Sequence, residues 1–448
     1  MRIGTVALGI WLWTGGSLAA QPALSLQEAA RIALESHPAI TASRSGEQEA
    51  QAGVRAARAG YLPRLSYSES YLRSNNPVFV FGSLLNQRQF GPANFDIARL
   101  NNPSALQNFQ SQLRIEQTLF DARRTKHAVQ AAGVQRDLSL AESRAAESGV
   151  ILGVVRTYFG MALAGENLAV VEESLKSAEA DLRRAESMLE AGMVTRADVL
   201  SVQVHLAAVE ERRINAAGDL MVAQAALNDA LGLDLDDRHD LTTGLAALQP
   251  APRAIEEYER LADQQTPDLQ RASLHTALAD AQSRQASSAR WPRLVAQGVL
   301  EADRQNFGSR AGGNWLVGAS LQWDVWKGFE NRARLSAAEH ARQRTGAVAR
   351  QARSAVFLEL RRAHAALQSA SERVLVSEAA ARQAGESHRI IQNRYENGLE
   401  NVTGLLRSEI ALAEARFRGL AAIYDQRVAG AALEHAAGNL TLNSEVLR

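Results

Sequence analysis

Hydrophobic and polar residues alternate along "FQSQLRIEQTL". Phe109, Leu113, Ile115 and Leu119 fall on one side, and Gln110, Gln112, Arg114, Glu116 and Thr118 on the other. This period of two predicts a strand with one apolar and one polar face. The same alternation returns in Trp315, Val317, Ala319, Leu321, Trp323 and Val325, set against Asn314, Gly318, Ser320, Gln322 and Asp324. Each run is about ten to eleven residues long, the length that a tilted membrane-crossing strand needs. Trp315, Trp323 and Trp326 lie near the two ends of the second run, where aromatics at a bilayer interface belong. Tyr67 and Phe120 are the matching candidates in the first half. A partner strand before the first run carries Leu65, Tyr67 and Tyr71 on one face, interrupted by Glu69, and Leu294 to Glu301 does not commit to either periodicity. Half-buried strands of a soluble sheet share this alternation; the tryptophans favour the membrane reading.

Beyond each strand pair the pattern turns helical. All ten prolines lie between Pro22 and Pro103 or between Pro250 and Pro292, so Ser104–Gln249 and Arg293–Arg448 contain none. Proline costs about 3 kcal/mol inside a helix, and both stretches are rich in Ala, Leu, Glu, Gln and Arg, which predicts long helices. A helix over Arg123–Leu189 would measure roughly 100 Å, and one over Phe329–Asn397 about the same. Each then turns at a similar motif, "GMVT" at Gly192–Thr195 and "GLEN" at Gly398–Asn401. Gly192 and Gly398 suit the left-handed position past a helix end, and Thr195 and Asn401 can cap the returning helices. Core candidates on those returning helices are Leu200, Leu206 and Leu227, with Leu406, Leu412 and Leu433.

These parallels are an internal duplication. Pro38 and Pro63 precede Pro267 and Pro292 by 229 positions, whereas Phe120, Gly192, Leu227 and Gly232 precede Trp326, Gly398, Leu433 and Gly438 by 206. The first copy therefore holds an insertion of 23 residues between Pro63 and Phe120, and its segment "PVFVFG" is expected to cover a mouth or extend a strand. The expected organisation is residues 1–20 as a signal peptide and residues 21–250 as a first repeat with a strand hairpin at about 64–120. A second repeat follows at residues 251–448, with its hairpin at about 293–326.

Composition narrows the function. The 448 residues carry 49 Lys and Arg against 49 Asp and Glu, and no basic stripe with interleaved aromatics occurs, so nucleic acid is not an expected partner. Arg2, "IGTVALGIWLW" and "GGSLAA" predict a secretory signal peptide cleaved near Ala19 or Ala20. The absence of cysteine excludes disulfides and a lipidated cysteine at the mature N-terminus. No later run of eighteen apolar residues is read, so any membrane crossing must use strands. Four strands cannot close a barrel, and open edges in hydrocarbon would cost several kcal/mol per unpaired backbone group, so the chain must assemble. Two chains would give about eight strands and a filled interior, while three would give about twelve and room for a channel.

With "LSLQEAARIALESHPAI", the paired "PRL" segments, strand ends such as "LFD" and the paired Gly turns, the mature chain resembles the TolC-like outer-membrane efflux channels. The resemblance implies a mainly α protein with a transmembrane β part. Duplicated long-helix hairpins would form a periplasmic α-barrel, and four strands per chain would contribute to a twelve-stranded β-barrel in a homotrimer. It implies an outer-membrane exit duct of a tripartite efflux or secretion system that conducts passively. Its partners would be a periplasmic adaptor (membrane fusion protein), an inner-membrane transporter of RND, ABC or MFS type, and outer-membrane lipid. Gly192, Met193, Val194, Thr195, Asp198, Gly398, Leu399, Glu400 and Asn401 would then form the periplasmic tips where the adaptor docks. Asp198 has Gly404 as its second-copy counterpart, followed by Arg407. That departs from members with acidic rings, so no gate ion pair is assigned, although Glu400 and Glu409 lie nearby.

An enzyme and a periplasmic coiled-coil adaptor or structural protein are the alternatives. "LDLDDRHD" at Leu233–Asp240 lacks the Gly and terminal Glu of a calcium loop, and neither H-E-x-x-H nor G-x-S-x-G is present. Neither a cofactor nor a metal site is expected, and the His residues, His205 and His364 among them, read as packing or surface residues. A coiled-coil protein would lack duplicated strands with aromatic ends.

Overall fold

The computed structural model describes residues 23–248 and 253–447. The expected signal peptide and its cleavage site lie outside the described residues. In chain order the principal elements are β1 (Ala23–Leu24), α1 (Leu26–Ser36), α2 (Pro38–Arg58), β2 (Arg64–Ser74), α3 (Pro77–Asn86), α4 (Ile97–Asn101) and β3 (Leu106–Phe120). Next come α5 (Arg124–Glu190), α6 (Arg196–Leu231), β4 (Asp240–Leu241), α7 (Ile255–Gln265) and α8 (Pro267–Ser288). The chain ends with β5 (Arg293–Arg304), β6 (Gly312–Gln322), α9 (Glu330–Glu396) and α10 (Val402–Ala436). The order helix, helix, strand, strand, long helix, returning helix occurs twice. Both long helices contain 67 residues, roughly 100 Å at 1.5 Å per residue.

The chain divides into two compact units. One comprises the residues up to Pro38 with Glu147–Tyr258 and Leu360–Arg448; the other comprises Ala39–Ala146 and Glu259–Glu359. In the first unit, Leu26, Ala29, Ala30 and Ala33 of α1 pack on Ile151, Val154, Val155, Tyr158 and Phe159 of α5, with Leu227 and Leu231 of α6 and Ala431 of α10. Tyr158 anchors the start of the described chain: its hydroxyl donates to the Leu24 carbonyl (2.8 Å) and accepts from the Thr243 amide (2.9 Å). β1 pairs in parallel with β4 beside this anchor. By length and composition α5 does contain an apolar window long enough to cross a membrane, contrary to the sequence expectation. Its buried residues Val154, Val155, Tyr158 and Phe159 belong to the core of this unit, so packing accounts for part of that apolarity.

The second unit contains an antiparallel four-stranded sheet in the order β2-β3-β5-β6. β6 stops at Gln322, so Trp323 and Val325 lie past the strand rather than within it, and Leu294–Glu301, left open by periodicity, is part of β5. "PVFVFG" does not extend a strand. Asn76 caps α3 by accepting from the Val78 and Phe79 amides, and Pro77 opens the helix, where its missing N–H costs nothing.

Of the leucine core candidates, Leu227 and Leu433 are fully buried. Leu206, Leu406 and Leu412 are half-buried, and Leu200 is 52% exposed. The buried stripe of α6 instead runs through Val199, Val202 and Val209, and Leu200 sits beside it.

Candidate functional site

Strand register decides what the sheet can do. Tyr67, Leu113, Leu300 and Trp315 form one rung across the four strands, and Leu65, Ile115, Gly298 and Val317 form the next. Strands present successive side chains to opposite faces, so these rungs build one apolar face. That face is bare: Leu65, Tyr67, Ile115, Leu300, Trp315 and Val317 are all exposed, Val317 by 77%. Alternate rungs, such as Ser68, Gln112, Glu301 and Asn314, make the other face polar. This is the reverse of a soluble sheet, which turns its apolar side to a core. β2 and β6 are the edges, with no strand beyond either among the described residues.

The β3–β5 register shifts between Thr118 and Phe120, so Phe120 rather than Leu119 pairs with Leu294. This bulge turns Phe120 onto the apolar face, where strict alternation would have put it on the polar one. Phe120, Trp323 and Trp326 are exposed near the helical end of the sheet, joined by Trp291, which the alternation did not flag. Finally, Glu69, the interruption in the apolar face of β2, is neutralised: Arg304 contacts it at 2.9 Å, and the hydroxyls of Tyr67 and Ser111 donate to it.

The two helix turns share one hydrogen-bond pattern. At the first, the Met193 amide donates to the Met188 carbonyl (2.8 Å) and the Gly192 amide to the Leu189 carbonyl (2.9 Å). At the second, Leu399 donates to Arg394 (2.8 Å) and Gly398 to Tyr395 (3.0 Å). Both are Schellman closures, which require a left-handed residue; Gly192 and Gly398 have φ of 73° and 69°. Thr195 caps α6 in a reciprocal box with Asp198, whose carboxylate accepts from the Thr195 amide and hydroxyl at 2.8 Å each. Those bonds hold the Asp198 carboxyl below its ordinary range. Asn401 caps α10 by accepting from the Gly404 amide (2.8 Å). Gly404, the counterpart of Asp198, supplies no reciprocal carboxylate; Glu400 instead lies by Arg394 at 3.8 Å. Met193 and Leu399, which follow the two glycines, are 60% and 68% exposed.

Behind the turns, the two helix pairs are joined. Ala185, Val199 and Val202 pack on Tyr395, Val402 and Leu405. Arg184 bridges Asp181 (2.8 Å) on its own helix and Glu396 (3.0 Å) on α9, and His205 of α6 meets Glu409 of α10 at 3.0 Å. His205 is therefore a packed partner of a carboxylate. Asp181 is fully buried, and one of its oxygens has no hydrogen-bond partner. Burial, reinforced by Glu409 and Glu396 against Arg184 and His205, pushes its carboxyl up to about 6. Sequence spacing gave no sign of this cluster, because its members come from four helices. No group of three or more His, Cys, Asp or Glu residues that could hold a metal occurs among the described residues. "LDLDDRHD" is a connector in which the Leu235 and Asp237 carbonyls accept from Asn228.

The chain thus combines paired long helical hairpins with a sheet whose exposed face is apolar. The family described as outer membrane efflux protein matches residues 29–233 and 260–439, once for each copy. The chain belongs to this family. It is 28% identical to Protein CyaE of Bordetella pertussis over 421 residues, covering 93% of this chain and 84% of that protein. In fold it is similar to the CmeC outer membrane channel of Campylobacter jejuni, with TM-score 0.79, 16% identity, and 100% of this chain and 95% of that one covered. It is also similar to the MtrE outer membrane channel of Neisseria gonorrhoeae in its open state, with TM-score 0.75, 19% identity, and coverage of 92% and 88%. Both of these solved structures are outer membrane channels.

Proposed function

We propose that three copies of this chain close a twelve-stranded barrel in the outer membrane and conduct passively what an inner-membrane transporter of RND, ABC or MFS type delivers through a periplasmic adaptor. The observation that carries this reading is the open sheet with a bare apolar face. An antiparallel strand order means that β6 of one copy runs antiparallel to β2 of the next, so the edges can pair head to tail and the ring closes. Lipid then covers the rungs through Trp315 and Val317, water fills the polar side, and the aromatics near the strand ends sit at the interfaces. β6 has 11 residues, roughly 36 Å of strand, which at a tilt near 40° spans about the height of an apolar barrel band.

The turns Gly192–Thr195, with Asp198, and Gly398–Asn401 are the adaptor-docking tips in this reading. Support comes from the two exposed apolar side chains, Met193 and Leu399, held on rigid Schellman closures. Residues 1–20 direct export and are removed. A coiled-coil adaptor would have no use for the bare sheet face.

The test is the native mass of the processed protein extracted in detergent from an outer-membrane fraction. Three chains of the processed protein are expected. A monomer in the soluble fraction would remove the channel reading.

A further inference from the structure

The insertion of the first copy carries a helix that faces the wrong way for a soluble loop. α3 turns Val80, Ser83 and the following Gln87 to its own chain, all buried, and leaves Val78 (82%) and Leu85 (45%) exposed, with Phe81 (39%) exposed beside its edge-on neighbour Phe90 at 4.9 Å. Positions 78, 81 and 85 form one stripe of a helix, so the apolar side is the outward one. The anchoring is polar and built: the buried Gln87 amide donates to Asn108 Oδ1 (2.8 Å) and the Gln107 carbonyl (3.0 Å), and Asn108 donates to the buried Asp303 (2.6 Å).

These contacts fix which side of the sheet α3 occupies. Asn108 and Asp303 project from the polar face, as does Gly312, which pairs with Asp303. A Cβ on Gly312 would meet the Asn86 carbonyl oxygen at 1.9 Å, so the last turn of α3 lies directly on that face. α3 sits at the loop end of the sheet, opposite the ends that lead into α5 and α9.

We infer that α3 of three copies meet on the channel axis and form an apolar constriction at the outer mouth, Val78, Phe81 and Leu85 of each copy being covered by the other two. The inference rests on the trimeric-barrel reading. Twelve strands about 4.8 Å apart and tilted near 40° enclose a lumen of radius on the order of 12 Å to the backbone. Three helices about 10 Å across fill a circle of nearly that size, so helices on the inner face cannot avoid one another. Water-filled space would leave the apolar stripes wet, while contact among them removes that surface from water. The constriction is then a gate of weak, purely apolar contacts on a polar hinge through Gln87, Asn108 and Asp303. A large or apolar cargo pushing outward can part the helices without breaking charged pairs.

The experiment uses the full-length protein, which has no cysteine of its own. Phe81→Cys is oxidised in the detergent trimer, with Val317→Cys on the lipid face as control, and conductance in planar bilayers is compared for the unaltered protein and a Val78→Ser, Phe81→Ser, Leu85→Ser variant. Expected are a crosslinked pair of chains for Phe81→Cys only and a several-fold rise in conductance for the triple variant. A protein that runs as a trimer and conducts, but shows neither crosslink nor conductance change, overturns the constriction and leaves the channel. Absence of both trimer and conductance in the unaltered protein overturns the channel reading and the constriction with it.

Discussion

Arg304 reaches Glu69 at 2.9 Å although 235 positions separate them, and it does so on the apolar face of the sheet. Arg304 also donates to Ser111 Oγ (2.7 Å) and lies 5.0 Å from the ring centroid of Phe307. The pair ties β5 to β2 across β3 and cancels a charge that the proposed barrel would turn to lipid.

Removing one partner should therefore cost more than removing both. Arg304→Met leaves the Glu69 carboxylate uncompensated and is expected to lower the heat stability of the assembly. Combining it with Glu69→Gln should recover most of that loss. The heating temperature at which the assembly dissociates on a gel reads the cycle, and simple additivity would reject the coupling.

At the tips, surface and scaffold can be separated. Leu399→Asp and Met193→Asp alter exposed side chains and are expected to change stability by no more than about 0.5 kcal/mol, yet to abolish export if the adaptor docks there. Export assays run beside native mass decide it; unchanged export with an intact assembly sinks the docking assignment.

Gly398→Val acts through the backbone instead. A branched residue at φ 69° is strained, and about 1 to 2 kcal/mol of local stability should be lost around the second turn. Hydrogen exchange in residues 393–405 should quicken while the sheet stays protected.

Asp181 is expected to make the region behind the two helix turns sensitive to pH. Its carboxyl is raised from 3.8 to about 6, so the folded form holds the proton more tightly than the unfolded one. The penalty of ionising it is absent below its unfolded value, grows as pH rises through the interval, and is complete above about 6. Asp181→Asn, neutral at every pH, should abolish the part of the pH response that belongs to this group. Exchange rates at about pH 5 and about pH 7, corrected for intrinsic chemistry, measure it. An identical pH response in both proteins would dismiss Asp181 as its source.

The β2–β3 loop is expected to face outward, so protease added to intact cells should cleave between residues 87 and 105. Complete protection there, with cleavage in permeabilised cells, would reverse the orientation.

Local signals were the legible ones. The expected helices Arg123–Leu189 and Phe329–Asn397 became Arg124–Glu190 and Glu330–Glu396, because a glycine past the end and a capping side chain act within a few residues. The start of α3 is also written locally, in Asn76 followed by Pro77, although the expected alternatives for "PVFVFG" were a cover over a mouth or an extended strand. Non-local features were not legible. The bulge at Phe120 depends on how β3 meets β5, the His205–Glu409 and Arg184–Glu396 contacts depend on how four helices pack, and Leu200 lost its core position because the buried stripe of α6 passes through Val199 and Val202.

The open edges of β2 and β6 also have a genetic consequence. If each duct needs two good edges from all three of its chains, a defective subunit spoils its neighbours as well as itself. A cell in which half the subunits carry a broken β6 edge would, with random mixing, keep only about one duct in eight. Edge alleles should therefore be dominant over the normal gene, whereas alleles that destroy the chain before assembly should be recessive.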